Sequence, residues 1–313
     1  MKKGLLFIGC LLIGIGSSSA LTLNEDGSYT NAKNVKISSE QYGILSNKFT
    51  DTTIDLLDAK KILYYSDAKS RTIQTEYTIT TDIISDGKII DSITIPATET
   101  EAKKVTENDN IHVLSDMKLH DVSKMIVPYY MPEGGYDVEY STSSKKISLG
   151  YGEYNEGWDP SIIIDVEWFK IPMIKKYDII AARWDQSMPT SNIDEFEGYQ
   201  KTYDKNGNVL EAKYELGSDN QKITTNGFGQ IMNIFDSASD SIEMSFVLHF
   251  KQNVGSTVYG SYQHARNSNI TLSQAKSYSI KSGGLGNVIY FSNSTVRNYY
   301  DGMQGLSTVA HFA

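Results

Sequence analysis

The sequence predicts a mainly β fold: an antiparallel β-sandwich or jelly-roll-like domain, preceded by a small helical cap and a long β-hairpin. Three observations predict it. Short runs rich in β-branched and aromatic residues recur along the 313-residue chain, separated by clusters of Gly, Asn, Asp and Ser. Strand-like runs follow one another without a helical period between them, which favours antiparallel sheets over a parallel α/β arrangement. Helix-start signals are concentrated before residue 65.

The first twenty residues have the three parts of a cleavable signal peptide. Lys2 and Lys3 form the charged start, Leu5–Ile15 is apolar, and small residues end the segment at Ala20. The apolar run is shorter than the roughly 20 residues that a membrane-spanning helix needs, and no later run approaches that length. We therefore expect the mature chain to be secreted and extracellular, without stable membrane insertion.

Cys10 is the only cysteine, and it follows a small residue, Gly9, so lipidation at Cys10 is the alternative to secretion. Cleavage there would leave an apolar region of only about five residues, which favours cleavage after Ala20. The mature chain then has no thiol, and disulfides, thiolate catalysis and cysteine-ligated metals are excluded together. A domain of this size buries enough surface to fold without disulfide or metal cross-links. A cysteine-free exported chain is typical of Gram-positive bacteria.

The charge distribution disfavours two classes of partner. The formal net charge of −9 becomes about −11 once Lys2 and Lys3 leave with the signal peptide, and the remaining lysines are scattered. Because nucleic-acid binding needs clustered Lys and Arg, we expect no nucleic-acid partner. An anionic membrane surface is disfavoured for the same reason. No nucleotide or metal motif is found, so no cofactor is predicted.

Residues 21–105 are predicted to form the cap and the hairpin. Ser38 can cap a first helix with Gln41 three residues on, and Thr50 or Asp51 can start a second. The text ISSEQYGILSNKFTDTTIDLL, followed by a Thr-rich hairpin, resembles an N-terminal stretch of uncharacterised exported proteins of Gram-positive bacteria. The resemblance covers roughly residues 37–105. It implies export and a similar cap and hairpin, and it implies no activity.

The hairpin can be given a register from its alternating pattern. A two-residue turn at Asp86 and Gly87 would set the apolar residues of the return strand against the polar side of the first strand. A three-residue loop, Ser85–Gly87, avoids this conflict. That loop predicts two isoleucine pairs, Ile79 with Ile93 and Ile83 with Ile89.

Residues 106–313 are predicted to form the sandwich domain. A second hairpin is indicated by Asn206 and Gly207 between two strand-like runs. The predicted strands include residues 161–169, 177–184, 227–235, 242–250, 256–263, 276–281 and 287–292.

The run at 161–169 could carry chemistry, since its period of two puts Asp165 and Glu167 on one face and the apolar side chains on the other. Paired carboxylates serve as acid and nucleophile in many glycosidases. The run resembles the carboxylate-bearing strand of jelly-roll glucanases, although Phe169 stands where those enzymes carry a further glutamate. A solvated strand face is the interpretation that we favour.

Two further features are candidates for ligand binding. The segment 151–159 gathers aromatic and acidic side chains between glycines, a composition that suits a sugar ring and equally suits a sandwich edge. Its candidate residues are Tyr151, Tyr154, Trp158 and Asp159. His264 follows a predicted strand, where a lone histidine is either structural or a polar contact to a ligand. The five histidines show no metal-binding spacing, so no metal site is predicted.

These observations favour a secreted, non-catalytic binding or surface-interaction protein whose partner is a carbohydrate or a cell-surface component. A carbohydrate-active hydrolase using Asp165 and Glu167 is the first alternative. A pore-forming toxin is the second, because the Thr-rich hairpin alternates as an inserting hairpin must, with Ile73 to Ile83 as its lipid-facing side.

The export signal gives a first testable prediction. The mature protein from a secreting host should begin at Leu21, because Ser18 and Ala20 are the small residues that signal peptidase requires. Intact-mass measurement with N-terminal peptide sequencing checks this. A diacylglycerol-modified Cys10 would contradict it and place the protein on a membrane.

Overall fold

The computed structural model describes residues 21–66, 74–85, 88–105, 139–152, 160–214, 220–234, 239–252, 254, 257–285, 288–302 and 306–309. The N-terminal part consists of β1 (Thr22–Leu23), β2 (Tyr29–Thr30), β3 (Lys36–Ile37), α1 (Ser39–Ser46), α2 (Asp51–Leu56), α3 (Ala59–Ser66), β4 (Gln74–Ser85), β5 (Lys88–Ala97) and α4 (Glu99–Lys104). The middle consists of β6 (Glu139–Gly152), β7 (Ser161–Lys170), β8 (Asp178–Trp184), a 3₁₀ turn (Thr190–Asn192), β9 (Ile193–Tyr203), β10 (Val209–Tyr214), β11 (Gln221–Thr224) and β12 (Gly227–Met232). The C-terminal part consists of β13 (Ser241–Phe250), β14 (Thr257–Gln263), α5 (Leu272–Ala275), β15 (Ser279–Leu285), β16 (Ile289–Tyr290), α6 (Ser294–Arg297) and β17 (Leu306–Val309).

Two antiparallel sheets dominate the described residues. One has seven strands in the order β10-β9-β13-β7-β6-β4-β5, and the other has five in the order β11-β12-β8-β14-β17. The chain passes repeatedly from one sheet to the other, as a sandwich requires. The predicted mainly β, antiparallel sandwich is therefore confirmed.

The main core lies between these sheets. It includes Leu149 of β6, Trp168 of β7, Trp184 of β8, Phe246 of β13 and Tyr262 of β14, all of which are buried. Because side chains alternate along a strand, each sheet supplies every second residue to this core and turns the others outward.

The central strands are covered on their outward faces as well. The cap, which we define as residues 21–66, packs an apolar cluster that includes Leu45 and Ile54 onto Ile163 of β7 and Val247 of β13. On the other side, the C-terminal layer, defined as residues 265–302, packs onto the outer face of the five-stranded sheet. The described structure therefore has four layers, and the central strands are buried on both sides.

Local sequence signals set the cap helices. Ser38 accepts a hydrogen bond from the backbone of Gln41, whose side chain accepts one from the Ser38 backbone, so the predicted capping box begins α1. Thr50 caps α2, accepting from the backbone of Thr53. Both predicted helices are confirmed.

The hairpin between β4 and β5 is confirmed, but its predicted register is wrong. Ile79 pairs with Ile95 instead of Ile93, and Ile83 pairs with Asp91 instead of Ile89. Pairing starts with Ser85 opposite Lys88 and continues with Ile84 opposite Ile89. The next residue of β4, Ile83, is opposite Asp91, so β5 has a bulge at this point. The bulge adds one residue to β5, which restores the apolar alignment that a two-residue turn would otherwise lose.

The second predicted hairpin is confirmed, since β9 and β10 pair around Tyr203 and Val209. Gly207 takes a positive φ of 80°, and the Asp204 carboxylate accepts from the backbone of Asn206 and Asn208, both at 2.8 Å. These contacts close the turn.

The first hairpin and the later strands share one sheet. β4 pairs with β5 on one edge and with β6 on the other, so strands from the predicted regions 21–105 and 106–313 are hydrogen-bonded to each other.

None of the helices among the described residues has the length and apolar character needed to span a bilayer.

Candidate functional site

Asp165 lies beneath the cap and not on a solvated strand face, so the interpretation that we favoured from sequence is wrong for this residue. Its side chain is fully buried. Its carboxylate accepts from the Thr50 hydroxyl at 2.6 Å and from the Thr53 hydroxyl at 2.5 Å, and the Thr53 hydroxyl also lies 2.8 Å from Ser245 Oγ. Burial raises the pKa of Asp165. The start of α2 thus docks on this face through hydrogen bonds to the buried Asp165 carboxylate.

Glu167 and Glu243 lie beside Asp165 on the same face. Glu243 pairs directly across from Glu167 in the sheet, and its carboxylate accepts from the Thr52 backbone at 3.0 Å and from the Tyr203 hydroxyl at 2.8 Å. Burial raises the pKa of Glu243 to about 7, and the neighbouring charge of Glu167 adds to the shift. Lys146 lies 3.5 Å from the Glu167 carboxylate. Glu243 is a member of this cluster that the sequence reasoning missed.

His264 lies in a buried polar network at one end of the core. Its Nδ1 is 3.0 Å from the Asp178 carboxylate, and its ring packs edge-on against Trp168 with centroids 5.0 Å apart. The same carboxylate accepts from the Ala265 backbone at 2.9 Å and from the Tyr262 hydroxyl. His264 is 1% exposed, so it holds this end of the fold together and does not face solvent.

Of the 151–159 segment, Tyr151 lies in the core between the sheets and is 4% exposed. Tyr154, Trp158 and Asp159 lie outside the described residues.

One group among the described residues has metal-ligand spacing. Donor atoms of Glu195, Glu197 and His249 lie within 4.8 Å of one another. The Lys33 ammonium already pairs with Glu197 at 2.7 Å, and His249 Nε2 contacts the other oxygen of that carboxylate at 3.3 Å. These contacts define an ion-paired network that ties the cap to the sheet.

A polar pocket of about 250 Å³ lies between β5 and the C-terminal layer. We call it the β5 pocket, and its lining is Ile89, Asp91, Ser92, Arg266, Asn267, Thr295, Asn298 and Tyr299. Amide, hydroxyl, charged and aromatic groups meet there around an open space of ligand size.

The Arg266 side chain is fixed within the β5 pocket. Its Nη1 donates to the Ser92 carbonyl at 2.6 Å, and its Nε donates to the Asn298 carbonyl at 3.1 Å. Ser92 in turn donates its hydroxyl to Asp82 at 2.7 Å. A guanidinium held by two bonds is preorganised for a polar ligand, because it has further N–H donors in a rigid plane.

Sequence reasoning missed the β5 pocket. Arg266 and Ser92 are separated by 174 positions, and their meeting depends on how the C-terminal layer folds back against β5. No local motif carries that information.

Comparisons with known proteins give no family. No protein-family model matches the chain, and no curated protein matches it. Several solved structures show a faint likeness, the following three among them. The enzymatically active domain of bacteriophage CBA120 tailspike protein 4 aligns with 11% identity and a TM-score of 0.19 over 39% of this chain and 14% of that chain.

The second structure is AvmM, described as catalysing macrocyclization in alchivemycin A biosynthesis, with 10% identity and a TM-score of 0.25 over 53% of this chain and 90% of that chain. The third is a carbohydrate-binding module of the β-sandwich superfamily, with 10% identity and a TM-score of 0.21 over 75% of this chain and 68% of that chain. At these TM-scores the likeness defines neither a family nor a function.

The carboxylate cluster gives a prediction about pH. A carboxyl whose pKa is higher in the folded than in the unfolded protein stabilises the fold while it is protonated. For Glu243 this stability is complete below the usual value of 4.5 and is lost as the pH rises through about 7. The wild type should therefore lose on the order of 1–3 kcal/mol of this contribution between pH 5 and pH 8.

Urea unfolding of the wild type and of Glu243→Gln at both pH values checks this prediction. The glutamine variant should show a smaller loss between the two pH values, because it cannot ionise. Glu40→Gln, at an exposed position of α1, is the matched control and should behave as the wild type. Equal pH dependence in Glu243→Gln and wild type would contradict the prediction.

Proposed function

We propose that the protein is an exported, non-catalytic binding protein that holds a carbohydrate in the β5 pocket. The observation that carries the proposal is the pocket itself, in which a fixed guanidinium, two amide side chains, a carboxylate and a tyrosine ring surround about 250 Å³. Secretion remains an expectation from residues 1–20, which lie outside the described residues.

The lining suits a hydroxyl-rich ligand. Asn267, Asn298 and Arg266 offer donors, while Asp91 and the amide oxygens offer acceptors, which together match the paired donor and acceptor character of sugar hydroxyls. Tyr299 is half-buried and gives a ring against which a sugar can pack. The volume of about 250 Å³ lies just below the range of small-molecule pockets, which begins at about 300 Å³, so a single sugar residue or a chain end fits better than a long polymer.

The pocket chemistry favours binding over hydrolysis. Asp91 is the single carboxylate in the described lining, whereas glycoside hydrolysis uses a pair of them. The pair predicted from sequence, Asp165 and Glu167, lies on the cap side of the sheet. Asp165 accepts at Oδ1 from the hydroxyls of Thr50 and Thr53 and at Oδ2 from the Thr50 backbone. This burial disfavours the hydrolase alternative.

Binding to a glycan array, followed by calorimetry with the best glycan, tests the proposal. Tyr299→Ala should weaken binding several-fold, since ring packing is worth on the order of 1 kcal/mol. Asp91→Asn should also weaken binding, because it removes the charge-assisted acceptor. Both positions are only half-buried or exposed, so the folded fraction should stay unchanged by circular dichroism.

Leu210→Ala is the control, because Leu210 is exposed on β10 at the opposite edge of the seven-stranded sheet from β5. It should bind as the wild type. Trp158→Ala tests the 151–159 segment in the same assay. Loss of binding in Trp158→Ala with unchanged binding in Tyr299→Ala would overturn the β5 pocket as the site, and no glycan binding at all would overturn the proposal.

A further inference from the structure

Lys145 and Asp301 form a buried pair at the end of the core. Lys145 lies on β6, and Asp301 follows the bridge that joins Tyr300 to Ala265. The Lys145 ammonium is in direct contact with one Asp301 carboxylate oxygen, and the two side chains are 1% and 0% exposed. Because taking two charges out of water is costly, a buried amine against a buried carboxyl requires an explanation.

The Asp301 carboxyl group is held in a fixed position. Its second oxygen accepts from the His264 backbone at 3.1 Å, and its own backbone N–H donates to the His264 carbonyl at 3.0 Å. The amine is confined too, since Lys145 Nζ lies 4.7 Å from the Trp168 ring centroid and 5.6 Å from that of Tyr262. The amine and the carboxyl are thus held next to each other beside two aromatic rings.

A third ionisable group, Glu76, interacts electrostatically with this pair. Lys145 pairs with Thr78 of β4, and Glu76 lies two residues along β4, so both side chains are on the same face of the sheet. The Glu76 carboxyl interacts electrostatically with both Lys145 and Asp301, and burial raises its pKa. A carboxyl on the Lys145 face of the sheet with this charge coupling is suited to carry a proton at the pair.

We propose that Lys145 and Asp301 join in an intramolecular amide bond, formed within the folded chain with Glu76 as the proton carrier. The bond would link β6 to the C-terminal layer across 156 positions of sequence. Neither the β5 pocket nor the carboxylates beneath the cap take part.

The reaction balances without an oxidant or a cofactor. The Lys145 ammonium first gives one proton to the Asp301 carboxylate, and this neutral pair avoids the cost of two buried charges. The amine nitrogen then attacks the Asp301 carboxyl carbon, forming the C–N bond, and its second proton passes to Glu76. Glu76 returns that proton to the leaving hydroxyl, the C–O bond breaks, and one water is released.

Mass spectrometry of the denatured wild-type protein tests the bond. The intact mass should be lower than the sequence mass by one water. Proteolysis should give a single species that joins the peptide containing Lys145 to the peptide containing Asp301. An unchanged mass, with the two peptides recovered separately, would overturn the proposal, and a permanent ion pair would be the correct description.

A second route to water loss must be separated from this one. Asp301 precedes Gly302, and an aspartate before glycine can cyclise to a succinimide, which also releases one water. A succinimide leaves the two peptides unlinked and persists in Lys145→Met, whereas the proposed bond requires the lysine. Water loss with no joined peptide would therefore overturn the proposal.

Three variants complete the experiment. Lys145→Met should lack the joined peptide, and Glu76→Gln should slow its formation at least tenfold while both linked residues remain present. Lys201→Met is the matched control, because Lys201 belongs to another buried pair, with Asp55 at 3.5 Å and exposures of 3% and 0%. It should keep the joined peptide. A joined peptide formed at the wild-type rate in Glu76→Gln would overturn the role of Glu76.

Discussion

The burial of β7 on both faces is the constraint on which the rest of the structure depends. One face of this strand enters the core between the sheets, and the other face puts Asp165 beneath the cap, out of reach of water. A buried carboxylate must be satisfied by protein donors or else destabilise the fold by several kcal/mol. Thr50 at the N-cap and Thr53 in the first turn of α2 supply those donors, so the hydrogen bonds that satisfy Asp165 also fix the position of the helix. The cap is therefore a structural part of the sandwich, and the raised pKa of the adjacent Glu243 predicts that its docking depends on pH.

This constraint also explains where function can be located. Where the cap and the C-terminal layer cover the central strands, a ligand can reach the sheets only at the junctions between layers. The β5 pocket lies at one such junction, where β5 meets the C-terminal layer. The Lys145 and Asp301 pair lies where β6 meets the same layer. A covalent link there would hold the C-terminal layer, and with it Arg266 and Tyr299, against the sandwich, because cross-linking distant positions restricts the unfolded chain.

Local signals could be predicted from the sequence, and long-range burial could not. The capping box at Ser38, the strand around Asp165 and the turn at Gly207 each depend on a few neighbouring residues, and each is found as expected. The predicted register of the first hairpin was wrong because the alternating pattern does not reveal the bulge in β5. The environment of Asp165 depends on a helix more than a hundred positions earlier, and the β5 pocket depends on a contact over 174 positions. Periodicity identifies which residues share a face of a strand, but it does not say what covers that face.

A double-mutant cycle between Asp165 and Thr53 tests the central claim most directly. Asp165→Asn, Thr53→Val and the combined variant should be unfolded in urea beside the wild type, with Thr100→Val, at an exposed position of α4, as the control. The account predicts a coupling free energy on the order of 1–3 kcal/mol between Asp165 and Thr53. Removal of either side chain leaves the other one buried without its hydrogen-bond partner. It predicts no coupling between Asp165 and Thr100. Additive effects of Asp165→Asn and Thr53→Val, within about 0.5 kcal/mol, would contradict the account.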